Sequence, residues 1–349
     1  MKRSDKGLAF MLQYENIAWY ENGVVRILDR RVYPNEISYV DCHSYSEVVQ
    51  AITDMVTQSG GPYSAARMGM ALAAYECRNE KESYQVEFLK NAAKTISNAR
   101  PTTRKRMELV TDECLKIAFD ALKNGEVVSE KIFHHGIEAL NDKYDKFDLV
   151  AKNLVNMFPK SGNVMTQCFG ETIVGCMLRE AKNRKLDISM YIPETRPYFQ
   201  GARLTASVSQ DQGFDTTVIT DNMVAFTMQQ KGIDVFTSAA DAICLDGYVV
   251  NKIGTYQMAI VAKELEVPYF VTGFPDIAHP TIKTVEIEYR DPEFVLQAMG
   301  VRTAMKGVKG MYPSFDITPP HLISGVVTDK GIFSAYDLDS YVHDNFIEP

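Results

Sequence analysis

The chain contains no run of eighteen apolar residues, so no stretch of it reads as a bilayer-spanning helix. The apolar piece near its start, Leu8 to Leu12, is too short for the core of a signal peptide. It has no CxxC pair: its six cysteines, at positions 42, 77, 114, 168, 176 and 244, are scattered. That pattern argues against a disulfide framework and points to the cytoplasm. The six histidines are scattered too. The one pair, His134-His135, is adjacent, and helical neighbours point about 100° apart, so no shared metal is expected. No GxGxxG follows a first strand and no Walker A motif occurs, which leaves dinucleotide and nucleoside-triphosphate sites without support. A basic excess is also missing. Lys and Arg number 37 against 45 Asp and Glu, for a net charge of −8. This sets the chain apart from nucleic-acid binders. It leaves room for a local cationic pocket that takes a phosphorylated substrate.

The 349 residues, 46% of them apolar and 23% charged, suit a soluble protein of two domains. The first 140 residues read as a hairpin followed by helices. The hairpin turns at Glu21-Asn22-Gly23 between two apolar runs. "SEVVQAITDMVTQ" gathers Val48, Val49, Ile52, Met55 and Val56 on one helical face, with Ser46 as its expected N-cap and Gly60-Gly61-Pro62 as its stop. Small-residue and amphipathic helices follow, broken at Arg100-Pro101. From 141 to 349 the pattern becomes strand-helix alternation. "NVMTQ", "DISMYIPE", "DTTVIT", "DVFTSA" and "PYFVTG" are the strands, and this grammar predicts an α/β fold with a parallel sheet.

In such sheets ligands sit beyond the carboxyl ends of the strands. Five polar segments fall there: Cys168 in "TQCFGETIVG", "PETRPYFQG", "TDN", Asp241 in "SAADA", and "TGFPD". Cys168 precedes a helix whose positive end would favour a thiolate or bind an anion. By residue type alone the packed, structural thiol is the favoured reading, because free cysteine is commonly buried as a small apolar side chain. Asp241 sits among small apolar residues, either as a helix cap or as a carboxylate with a raised pKa. "NKIG", Asn251 to Gly254, offers an amide and an ammonium ahead of a helix, which suits a sugar hydroxyl and a phosphate.

Four segments, "ETRPYFQGARLTA", "TDNM", "VVNKIGTYQMAIVAK" and "PSFDITPPHLI", resemble S-methyl-5-thioribose-1-phosphate isomerases. The likeness extends to "VVRILDRR" and, in part, to "GGP…ALAAYE" and "ARPTT". The same superfamily includes ribose-1,5-bisphosphate isomerases and regulatory subunits of a translation-initiation exchange factor. The resemblance implies a homodimer, each subunit with a helical domain and a Rossmann-like domain, and a reaction on a phosphorylated pentose without metal, nicotinamide or flavin. It also implies a catalytic pair, Cys168 and Asp241, with substrate contacts at Gly60, Gly61, Arg100, Gln200, Asn251 and Lys252. The family reaction opens a furanose 1-phosphate to the 2-ketose 1-phosphate, which needs one acid and one base. Asp241 suits the acid if apolar neighbours raise its pKa, and Cys168 then suits the base.

Two departures stand out. The arginine of the family's "RGAP" motif is Ser59 here, with Arg67 the candidate to replace it. The segment after Cys168 is short, as in the bisphosphate isomerases and regulatory subunits. Three activities follow as expectations: an isomerase of 5-methylthioribose or 5-deoxyribose 1-phosphate, an isomerase of ribose 1,5-bisphosphate, and a non-enzymatic subunit that binds sugar phosphates or nucleotides. Retention of Cys168 and Asp241 argues against the third.

Overall fold

A computed structural model describes residues 3–100 and 104–343. The chain divides into two compact units, Met1–Asp145 and Lys146–Pro349.

The first unit begins with a three-stranded antiparallel sheet, β1 (Trp19–Glu21), β2 (Val24–Leu28) and β3 (Tyr39–Cys42). Asn22 and Gly23 both take positive φ, +50° and +81°. That is what a two-residue turn of the hairpin type requires. Helix α1 (Tyr45–Thr53) is capped by Ser44, whose side chain accepts from the Glu47 N–H, and not by Ser46. The cap falls at the last extended residue, two positions before the hydrophobic pattern suggested. Gly60-Gly61-Pro62 does not stop this helix. It opens the next one, α2 (Gly61–Glu76), with proline in the first turn where no backbone donor is needed. Helices α3 (Glu82–Ser97), α4 (Arg104–Lys123) and α5 (Val128–Val155) complete the succession, and the division between the units falls within α5.

The second unit alternates strands with helices: β4 (Ser161–Gln167), α6 (Glu171–Asn183), β5 (Asp187–Pro193), α7 (Ala206–Asp211), β6 (Asp215–Ile219), α8 (Val224–Lys231) and β7 (Val235–Ala239). After the short β8 (Ala242–Ile243) come β9 (Val249–Lys252), α9 (Thr255–Glu264) and β10 (Tyr269–Thr272). The hairpin β11 (Gln297–Ala298) and β12 (Val301–Arg302) precedes β13 (Phe315–Thr318), β14 (Gly325–Thr328), β15 (Gly331–Phe333) and α10 (Asp339–His343). The main sheet has seven strands in the order β15-β14-β10-β7-β4-β5-β6. Six are parallel and β15 is antiparallel at one edge. Strands β7, β10 and β14 are buried almost throughout. A parallel sheet covered on both faces needs such continuous apolar strands. Helices α8 and α9 cover one face: Val224, Met228, Met258, Ala259 and Ala262 pack on Phe236, Tyr269, Val271 and Val326. The helix expected from Gly201 starts as a π-helical turn, Gly201–Thr205, before α7. Strands β8, β9 and β13 form a separate antiparallel sheet. Among the described residues no helix is long and apolar enough to cross a membrane.

Candidate active site

The chain enters the main sheet at β4, steps outward to β5 and β6, then returns to the other side of β4 with β7, β10 and β14. The connections leaving β4 and β7 therefore run in opposite directions, and a crevice opens beyond their carboxyl ends. Cys168 is the first residue after β4 and Asp241 the second after β7. The two turns pack closely: a Cβ on Gly170 would lie 2.8 Å from the Ala239 Cβ, so only glycine fits. Cys168 itself is half-buried with φ +59°, and its carbonyl accepts a short hydrogen bond from the Thr205 hydroxyl. Thr195 and Phe199, past the end of β5, have φ of +62° and +56°. Left-handed backbone costs a residue with a side chain about 1 kcal/mol or more. Left-handed backbone recurs at Lys185 and Glu266, ahead of β5 and β10, so it does not by itself single out this edge.

β9 lies antiparallel between β8 and β13, and the Asp241 N–H donates to the Val250 carbonyl at 2.9 Å. The strand thus brings Asn251 and Lys252, both buried, to the Asp241 turn. The Asn251 amide donates to Thr255 Oγ1 at 3.1 Å, and the Lys252 ammonium stands 4.8 Å from the centre of the Phe315 ring. Gln200 is 7% exposed, and its Oε1 has no hydrogen-bond partner. A buried acceptor left unmade is costly, and a ligand hydroxyl would satisfy it. The loop that carries it is fixed by Asp221, whose carboxylate accepts the N–H groups of Thr195 and Arg196 at 2.8 and 2.7 Å.

The electrostatics differ from the sequence expectation. Burial pushes the Cys168 thiol up to about 11, and the carboxylates of Asp241 and Asp221 add to this. The Lys252 ammonium and the Phe169 N–H pull the other way and do not win. A thiolate favoured by the helix end is therefore not the resting state. Lys252 is in turn lowered, by burial first and by Arg290, while Cys168 and Asp241 oppose the shift. Asp241 is exposed rather than enclosed by Ala239, Ala240 and Ile243. The condition that would make it an acid by apolar enclosure is not met. The amino end of α9, expected to face a phosphate, is already occupied. Asp316 accepts from the N–H groups of Gly254 and Tyr256 at 2.7 and 3.1 Å, and burial raises this carboxyl to about 6. Asp316 reaches the site because β13 pairs with β9, placing it opposite Asn251. No spacing in the sequence announces that pairing.

Gly60, Gly61 and Arg100 belong to the first unit. The Gly61 N–H is spent on the Gln58 carbonyl, at 3.1 Å, so Gly61 serves by lacking a side chain. Arg100 follows α3 and is half-buried; Pro101 to Thr103 of the "ARPTT" stretch lie outside the described residues. Arg67 sits nearly two turns along α2 from Gly61 and pairs with Glu113 on α4 at 3.1 Å. Its Nε is buried without a hydrogen-bond partner. Among the described residues no group of His, Cys, Asp and Glu is arranged to hold a metal.

Residues 61–335 match the model of the initiation factor 2 subunit family. The chain belongs to that family. Within it, the chain is 34% identical over 329 residues to the methylthioribose-1-phosphate isomerase of Geobacillus kaustophilus, spanning 91% of this chain and 92% of that one. Methylthioribose-1-phosphate isomerase 1 of Pseudothermotoga lettingae is 33% identical over 338 residues, with 90% and 93% covered. Among solved structures, the 5-methylthioribose 1-phosphate isomerase of Pyrococcus horikoshii superposes with a TM-score of 0.83 at 26% identity, over 94% of each chain. The delta subunit of the translation initiation factor eIF-2B from A. fulgidus gives 0.80 at 27% identity, over 91% and 95%.

Proposed function

We propose that the chain is an aldose-ketose isomerase that converts a 5-substituted ribose 1-phosphate, with a 5-methylthio or 5-deoxy group, to the ribulose 1-phosphate. The observation that carries this reading is the meeting of Cys168 and Asp241 at the β4/β7 switch point, in a chain whose relatives named above are methylthioribose-1-phosphate isomerases. The phosphate on C1 blocks simple opening to an aldehyde. Ring opening therefore needs a proton on the ring oxygen as the C1–O4 bond breaks, and loss of the 2-hydroxyl proton as C2 becomes a carbonyl.

The Cys168 thiol sets the direction of proton flow. Cys168, held at about 11, enters as a thiol and gives its proton to O4, which takes the electron pair of the broken bond. Asp241, an exposed carboxylate, accepts the proton of the 2-hydroxyl. The hydrogen on C2 moves to C1 with its electron pair, and the proton on Asp241 later returns to the Cys168 thiolate. This reverses the assignment of Asp241 as acid and Cys168 as base that an enclosed Asp241 would have favoured. Lys252 holds negative charge as it develops on sulfur. Gln200 and Asn251 orient sugar hydroxyls.

The 5-substituent discriminates between the isomerase readings. Tyr198 lies against Phe294 and Tyr312, with ring centres 5.0 and 6.2 Å apart, and Tyr312 is within electrostatic reach of Cys168. The cation beside them, Arg290, is matched by Glu288 at 2.9 Å. An aromatic wall with its charge already paired suits a methylthio or methyl group better than a second phosphate.

The test is a turnover comparison of 5-methylthioribose, 5-deoxyribose and ribose 1-phosphates, with ribose 1,5-bisphosphate alongside. The first two should exceed ribose 1-phosphate in kcat/KM by about tenfold or more. Cys168→Ser and Asp241→Asn should each abolish turnover with the circular dichroism spectrum unchanged. No turnover of any 1-phosphate would sink the reading. A Cys168 thiolate absorbance that titrates well below pH 8 would return the base's role to the cysteine.

A further inference from the structure

The turn that carries Lys252 is tied to two neighbouring strands. Its Lys252 carbonyl accepts from Thr255 Oγ1 at 2.7 Å. The Ile253 N–H donates to the Ser314 carbonyl at 3.1 Å, and the Ile253 carbonyl accepts from Gln167 Nε2 at 3.3 Å. Gln167 is the buried last residue of β4, just ahead of Cys168. Gly254 closes the turn at φ +102°, a conformation that strains any side chain. A Cβ there would also lie 3.2 Å from Gln167 Nε2. The residue ahead of α9 therefore has no side chain to offer the helix, and the acceptor comes from Asp316, 62 residues along the chain from Gly254. On β13, Phe315 stands opposite Lys252 and Asp316 opposite Asn251. The Phe315 ring packs against the Lys252 ammonium, while the half-buried Asp316 carboxylate takes the N–H groups of Gly254 and Tyr256 and lies within electrostatic reach of that ammonium.

A helix cap alone contributes about 1 kcal/mol, and any small polar side chain could supply it. A carboxylate that grips the turn from a second strand does more, because the backbone of this turn sets where the lysine stem begins. Misplacing a catalytic charge by about 1 Å is enough to slow a reaction severalfold or more. We propose that Asp316 is a positioning residue for Lys252: by clamping the N–H groups of Gly254 and Tyr256 it fixes the turn and keeps the ammonium within reach of the Cys168 sulfur. The inference rests on the role given to Lys252 above. Asp316 itself touches no reacting atom.

The test reads alkylation of Cys168 by iodoacetamide at about pH 8.5, with kcat and thermal melts in parallel. Only the thiolate reacts, so the rate follows how well Lys252 stabilises the anion. Asp316→Asn keeps the size of the side chain but turns a donor toward one of the two N–H groups, which loosens the turn. Alkylation should slow by about threefold and kcat should fall by about tenfold. Loss of the charge acting directly on the sulfur would do the opposite, because removing a carboxylate makes a nearby thiolate easier to form. Loss of a cap alone would lower the melting temperature and leave both rates of the folded protein unchanged. In a Lys252→Met background, Asp316→Asn should slow alkylation no further, since the group it positions is gone. Faster or unchanged alkylation in a folded Asp316→Asn protein overturns the proposal, and so does an equal slowing in both backgrounds. If Asp316→Asn does not fold, Tyr256→Pro decides, because proline suits the first turn of a helix and removes one of the two donors. It should slow alkylation about twofold, and an unchanged rate overturns the proposal. The alkylation needs no substrate, so a protein that turns over no sugar phosphate loses the isomerase reading while the thiol still decides the role of Asp316.

Discussion

At the scale of single residues, the site is a contest between burial and charge at Cys168. Desolvation lifts the thiol, Lys252 lowers it, and burial is the larger effect. Lys252→Met removes the lowering influence and keeps much of the stem's volume, so the thiol should move above about 11. Alkylation of Cys168 by iodoacetamide at about pH 8.5 should then slow, because only the thiolate reacts. Faster alkylation would mean that Lys252 shields the sulfur rather than stabilising its anion. The other cysteines do not obscure the reading: Cys42, Cys77, Cys114, Cys176 and Cys244 are buried.

At the scale of elements, β13 and α9 are joined through one carboxylate. Asp316 caps α9 and carries a pKa raised from 3.8 to about 6. The folded state therefore binds this proton more tightly than the unfolded state does. Between roughly pH 4 and 6 the unfolded chain gives up the proton first, and the contribution of Asp316 to stability falls as pH rises. Asp316→Asn cannot titrate, so its stability deficit relative to wild type should be larger at about pH 4 than at about pH 7. Urea denaturation at the two values measures this, and an equal deficit at both would remove the titration from the account. Elements of this kind divide what was legible in the sequence from what was not. The strand-helix alternation from β4 to β10 was legible because apolar period and turn chemistry are local. So was the placement of Cys168 and Asp241 at strand ends. The pairing of β13 with β9 and the cap by Asp316 were not, because each joins segments far apart in the chain. Asp241 was misjudged for the same reason: the small residues flanking it in sequence do not enclose it in space.

At the scale of the whole molecule, two compact units predict two unfolding steps. The one tryptophan of the chain, Trp19, lies in the first unit, edge-on to Phe133 with ring centres 5.0 Å apart. Its fluorescence reports that unit alone, whereas far-ultraviolet dichroism reports both. The two denaturation curves should not superimpose, and coincident curves would show one cooperative unit instead. The left-handed backbone at Cys168 also has a consequence for descent. Glycine ordinarily destabilises a chain relative to alanine, but at φ +59° the order should invert, with Cys168→Gly more stable than Cys168→Ala by about 1 kcal/mol. A thermal melt of the two variants reads the sign. The solved structures that superpose on this chain include a translation-factor subunit as well as an isomerase. Under the catalytic role proposed for Cys168, a copy of this fold freed from the reaction would gain stability by exchanging the left-handed cysteine for glycine, so this position sets a stability cost against the proposed chemistry.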